Sequence, residues 1–275
     1  MKIIVCIKQV PDTTNVRIDP ETNTLIREGV ESIINPFDEY ALEEGIRLQE
    51  EYGGETSALS MGPPQVENAL RDTLSMGMQN AYLVCDRAFA GADTLATGYT
   101  LAAGIRKLGG ADIILMGRQA IDGDTGQVGP GVAENLGIPH ITDIKKIEQV
   151  DEDGTLIVQR AVEDGYVRLK TRLPVVLTVV KEINEPRLPS LKTKMQARKK
   201  EIKIWNKDDL EVDTDRLGLN GSPTWVTKIF TPPQSNKGKL FSGEKSEAVA
   251  ALIKELRQAG IEPDKNRRIL ENAGN

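Results

Sequence analysis

The sequence is poor in the residues that most catalytic and metal chemistries need. It holds two cysteines and a single histidine. Cys6 and Cys85 sit in separate apolar, strand-like runs, with no CxxC and no Cys/His cluster, which argues against structural zinc and most metal catalysis. His140 follows Ile138-Pro139 and reads as a turn residue, so a serine–histidine–acid site has one weak candidate for its base. Aromatic residues make up 4% of the chain and the net charge is −6 at pH 7. Both oppose a nucleic-acid binder, which needs stacking platforms and a basic surface. No apolar run approaches the ~18 residues of a membrane span. The opening MKIIVCIKQV is too short for a signal peptide and lacks a cleavage site. Unpaired cysteines suit a reducing cytoplasm, which is the expected location.

What is present is an alternation. KIIVCIKQV reads as a buried strand and FDEYALEEGIRLQEEYG as a helix, with Tyr40, Leu42, Ile46 and Leu48 as its apolar positions. ETSALSMG, AYLVCD and ADIILMG read as further strands. PPQVENALRDTLSMG, DTLATGYTLAAGIRKLG and VGPGVAENLG read as helices, the first opened by prolines and the second ending near glycines. Repeated β-α-β implies an α/β, doubly wound, mostly parallel sheet covered on both faces. From Ile144 the pattern changes. DEDG and EDG mark turns between alternating strands, so an antiparallel extension is expected, then a last core strand, PVVLTVV. NEPRLPSLKTKMQARKK is basic and punctuated by prolines. SPTWVTKIFTPPQSNKGKLFSGEK is loop-like, and SEAVAALIKELRQAG is one amphipathic helix. The expected division is an α/β domain over 1–205 and a C-terminal arm with its helix over 206–275, lying on a partner.

Open parallel sheets bind ligands beyond the carboxyl ends of their strands. Three such ends carry unusual sequence: Cys6 to Pro11, Ser60 to Pro64, and GRQAIDGDTGQVGP from Gly117 to Pro130. In the last, Gly123, Gly126 and Gly129 let backbone come close to a ligand. The start of the following helix supplies free N–H groups for a phosphate without a lysine. Asp122 and Asp124 either cap local N–H groups, accept from ribose hydroxyls, or receive a ring N–H. The stretch Asn35-Pro36-Phe37-Asp38 is either a helix-start signature or a wall of the same site. Asp86 to Thr94 is either a second phosphate turn or a turn capped by Asp93 or Thr94.

Over residues 1–230 these segments resemble the β subunit of electron-transfer flavoproteins. The carriers are VCIKQVPD, INPFDEYALEEGIRL, SMGPPQ, LMGRQAIDGDTGQVGP and NEPRLPSLKTKMQARKK. The resemblance implies an adenine-nucleotide α-hydrolase-like α/β domain, and an arm embracing an FAD-binding α subunit. One branch of the family holds structural AMP in the β-subunit site. The electron-bifurcating branch holds FAD there, reduced by NADH. DGDTGQVGP and DRAFAGADTLAT are similar to the bifurcating branch. By resemblance, the FAD site draws on Cys6, Asn35, Pro36, Phe37, Asp38, Met61, Gly117, Arg118, Gln119, Ala120, Ile121, Asp122, Gly123, Asp124, Thr125, Gly126, Gln127 and Val128. Phe89, Ala90, Gly91, Ala92, Asp93 and Thr94 are the candidate NAD contacts. No catalytic side chain and no metal ligand is expected. The stretch 184–200 matches the family's recognition loop. Leu191 stands where a protruding leucine enters a flavin-containing dehydrogenase of the acyl-CoA or hydroxyacid type. Ferredoxin or flavodoxin is the other implied electron acceptor. The alternatives are an AMP-type subunit and a stand-alone nucleotide sensor of the universal-stress type.

Overall fold

The computed structural model describes residues 1–12, 17–18, 25–26, 32–227 and 238–261. The chain divides into two compact units, Met1–Thr227 and Lys228–Asn275. Residues 228–237, which include Ile229 and Phe230 of the expected loop-like stretch, lie outside the described residues.

The strands of the first unit are β1 (Lys2–Cys6), β2 (Gln9–Pro11), β3 (Arg17–Ile18), β4 (Leu25–Ile26), β5 (Ser32–Ile34), β6 (Glu55–Met61), β7 (Asn80–Val84), β8 (Ile113–Gly117), β9 (His140–Val150), β10 (Thr155–Val162), β11 (Gly165–Arg172), β12 (Val175–Val179) and β13 (Lys203–Trp205). Its helices are α1 (Pro36–Tyr52), α2 (Val66–Met76), α3 (Thr94–Lys107), α4 (Val128–Leu136) and α5 (Leu191–Ala197). Nine strands form one sheet in the order β11-β10-β9-β12-β8-β1-β6-β7-β13. Seven of them, β9-β12-β8-β1-β6-β7-β13 in that order, run parallel. β10 and β11 form the expected antiparallel extension. The pairs β2–β5 and β3–β4 make two small antiparallel ribbons.

β1 shows why the sheet is covered twice. Its side chains alternate between two cores. Ile3 and Val5 join the core that contains Leu42 and Ile46 of α1 and Leu70 and Leu74 of α2. Ile4 and Cys6 join the core that contains Leu101 and Ile105 of α3 and Val132 of α4. Leu42, Ile46 and Leu48 are buried as the helical spacing of α1 requires, while Tyr40 is half-buried. Gly45 lets α1 lie directly on the sheet, since a Cβ there would stand 2.8 Å from Val5 Cγ2.

His140 differs from expectation. It opens β9 and pairs with Val176 instead of sitting in a turn. Val176 N–H donates to Pro139 C=O at 3.0 Å, so the ladder begins at once after the proline. In the second unit, α6 (Lys245–Gln258) is the expected amphipathic helix, with Lys239 paired to Glu255 at 2.6 Å. Among the described residues no helix is long and apolar enough to cross a membrane.

Candidate functional site at the β1–β8 switch point

The chain leaves β1 toward β6 and β7, then returns to β8 on the other side of β1. Between β1 and β8 the winding reverses, which is where open parallel sheets place a ligand crevice, beyond the carboxyl ends of the strands. Cys6 and Gly117 are those ends. The two loops that follow, and the start of α1, meet there.

Asn35 and Asp38 hold them together. Asn35 stands at the N-cap of α1, yet its side chain does not cap the helix. Its amide instead bridges to the glycine-rich loop: Nδ2 donates to Gln119 C=O at 2.9 Å, and Oδ1 accepts from Ile121 N–H at 3.1 Å. Asp38 accepts from Lys8 N–H at 2.7 Å and from Gly117 N–H at 3.0 Å. One carboxylate therefore ties the ends of β1 and β8. Burial pushes its pKa from 3.8 up to about 7, outweighing the hydrogen bonds that favour the charged form. Gly117 has to be glycine, because a Cβ would sit 2.4 Å from Asp38 Oδ1. The Cys6 thiol is buried, and burial pushes it up to about 12, so it is no nucleophile.

The acidic residues of the loop have partners on the protein. Asp122 accepts from Lys8 Nζ through both oxygens, at 2.7 and 2.8 Å. Asp124 lies at φ +50° and accepts from Gln119 Nε2 at 2.8 Å. The partners of both carboxylates are thus side chains, and each oxygen keeps a lone pair for a hydroxyl. Lys8, at the end of β1, was not singled out from sequence, although it sits inside VCIKQVPD. Nor was Asp143, at φ +58°, which pairs with Arg118 Nε at 3.2 Å. No local pattern signals a pair formed across a sheet.

The loop after β8 leaves backbone uncovered by side chains. Nothing lies within 4 Å of where a Gly123 Cβ would stand, and Gly126 sits at φ +63°. Pro130, third in α4, has no N–H, so Val128 and Gly129 carry the first free donors of that helix. Thr94, first in α3, donates through Oγ1 to Gln127 Oε1 at 2.9 Å. The N-termini of α3 and α4 thus converge on one loop. A Gly98 Cβ would come within 3.2 Å of the Gly131 carbonyl carbon, which is why these helices approach so closely.

The rest of Phe89 to Thr94 is placed differently. Phe89 is buried in the core. Asp93 caps α3 through Leu95 and Ala96 N–H and also accepts from Thr224 N–H and Oγ1. Leu219 N–H donates to Ala90 C=O, so the segment after Gly218 lies along this turn. Met61 ends β6, half-buried. Leu191 is on another surface, first in α5 and 82% exposed. Among the described residues no group of three or more His, Cys, Asp or Glu could hold a metal ion.

The electron transfer flavoprotein domain matches residues 22–210. The electron transfer flavoprotein subunit beta of Thermoanaerobacterium thermosaccharolyticum is 55% identical over 93% of this chain and 98% of its own. The chain belongs to the electron transfer flavoprotein β-subunit family. The corresponding subunit of Clostridium acetobutylicum is 52% identical over 94% of this chain and 98% of its own. The caffeyl-CoA reductase-Etf complex subunit CarD of Acetobacterium woodii is 47% identical over 95% of this chain and 100% of its own. At this end of the sheet no side chain caps α4, Gly126 is left-handed, and Asp122 and Asp124 stand on the same loop.

Proposed function

We propose that this chain pairs with a flavin-carrying α subunit and holds a second FAD in the β1–β8 crevice, as an electron-bifurcating β subunit. The observation that carries the nucleotide site is the N-terminus of α4, which no side chain caps, standing behind the glycine-rich loop at the switch point. The bifurcating assignment draws on DGDTGQVGP and DRAFAGADTLAT, and on a relative whose name joins a reductase to an electron transfer flavoprotein. The chemistry supplied by FAD in that site is acceptance of hydride from NADH, with single electrons released along two branches, to the α-subunit flavin and to ferredoxin or flavodoxin.

The protein's part is placement. Val128 and Gly129 N–H groups bind phosphate, and Gly123 and Gly126 keep the floor free of side chains. Asp122 and Asp124 meet hydroxyls at the rim. Asn35 fixes the loop against α1, and Asp38 fixes both strand ends. In this reading none of the described side chains serves as nucleophile or metal ligand. NAD(H) would enter beside the α3 N-terminus, where Thr94 reaches the loop. Electrons on the first branch leave for a flavin-containing dehydrogenase of the acyl-CoA or hydroxyacid type, which docks over Leu191. The complex works in the cytoplasm. The test is anaerobic stopped-flow mixing of the purified heterodimer with NADH. Rapid bleaching of a bound flavin supports the reading. A heterodimer whose flavin NADH does not reduce contradicts it.

A further inference from the structure

The segment around Leu191 is held at both ends by arginines that no local pattern singles out. On the upstream side, Arg187 lies against α1. Its Nε and Nη2 reach Glu43 at 2.8 and 3.1 Å, and its Nη1 and Nη2 reach Glu50 at 2.6 and 2.9 Å. Its backbone N–H also donates to Glu43, at 3.1 Å. The Glu43 side chain is 2% exposed and takes a further bond from Arg47 Nε at 2.6 Å. Burial alone would raise the Glu43 carboxyl, but these bonds hold it below its usual range. Asn184 adds two bonds to α1, at Tyr40 C=O and Glu44 Oε2, both 3.0 Å.

On the downstream side, Arg71 of α2 donates through Nη1 to Ala197 C=O at 2.9 Å and to Lys200 C=O at 2.6 Å. Lys200 Nζ donates to Met78 and Gln79 C=O, both at 3.1 Å. Between the clamps the chain presents apolar side chains to solvent: Leu188 is 93% exposed, Leu191 82% and Met195 66%. Leu191 and Met195 are four apart on α5, so they share a side. Lys192, Lys194, Arg198 and Lys199 flank them. Half-buried, multiply bonded anchors around an exposed apolar tip form a rigid presenting segment, which loses little entropy on capture.

We propose that Arg187 and Arg71 are positioning residues for partner capture, fixing Leu188, Leu191 and Met195 in the shape that an apolar, carboxylate-rimmed pocket of the dehydrogenase accepts. This rests on the docking reading of Leu191. The clamps act through placement and touch no electron carrier.

The experiment uses the reconstituted, flavin-loaded heterodimer and a purified flavin-containing acyl-CoA dehydrogenase that the wild-type complex reduces, with complex concentration varied. Leu191→Ala raises KM for the complex. Arg187→Ala raises it about tenfold, with kcat, flavin content and heterodimer formation nearly unchanged. Arg187→Lys recovers part of the loss, because a lysine pairs with Glu43 as a point charge without the fork. In a Leu191→Ala background Arg187→Ala costs less than it does in the wild type, because one of the three side chains it positions is gone. Should Arg187→Ala fail to fold around an underpaired Glu43, Arg187→Met with Glu43→Gln removes both charges and gives the same readout. An unchanged KM in the clamp variants beside a raised KM in Leu191→Ala overturns the inference and spares the docking reading. Fully additive losses also overturn it. An unchanged KM in Leu191→Ala overturns the docking reading and the inference with it.

Discussion

Gly126 and Asp38 each constrain the crevice by what they exclude. A side chain at Gly126 would have to adopt φ +63°, at roughly 1–2 kcal/mol, and would project where the proposed nucleotide lies. Gly126→Leu is expected to abolish nucleotide binding in this subunit while the α-subunit FAD stays. Gly123→Val serves as the control for strain, because its Cβ meets nothing within 4 Å and its φ is ordinary. Loss of nucleotide in both variants, read by extraction and chromatography, locates the ligand over these glycines. Equal content in wild type and both variants would remove that placement. Asp38 carries a different expectation. Its folded pKa is raised, so its contribution to stability is fully present below 3.8 and is lost as pH rises through about 7. Asp38→Asn lacks this titration. The stability of wild type relative to the variant should therefore fall between about pH 4 and pH 7 in denaturant titrations. A relative stability that rises with pH would mean the two N–H groups win over burial.

At the scale of elements, most of the α/β winding was legible. β1 and β12 are continuous apolar runs, as strands buried on both faces must be, and α1 to α4 show helical spacing. The extension β9–β11 was legible from its turns. β13 was not, because three residues, KIW, joining β7 at the far edge carry no pattern of their own. The stretch 206–227 was also obscure. It is held by scattered contacts such as Asp213 N–H to Tyr99 Oη at 2.8 Å and Asp93 N–H to Ser222 Oγ at 2.8 Å, which leave no periodicity. The glycine-rich loop was readable as the connection from β8 to α4. The work of Asn35 was not, since a helix-start asparagine looks the same whether it caps its helix or bridges to another loop. The clamping roles of Arg187 and Arg71 were invisible for the same reason: Glu43, Glu50, Ala197 and Lys200, which they bind, lie far from them in sequence.

For the whole molecule, the division of labour follows from charge and surface. A chain of net charge −6 carries a basic, apolar-tipped segment on α5, and the proposed nucleotide site stands elsewhere, at the β1–β8 switch point. The described polar groups there brace the protein's own loops. Whether the proposed site holds AMP or FAD decides whether this subunit is scaffold or redox centre. The most direct measurement is the nucleotide released from the purified heterodimer, quantified beside its visible spectrum. The account predicts two FAD per heterodimer and no AMP. One FAD with one AMP would contradict it.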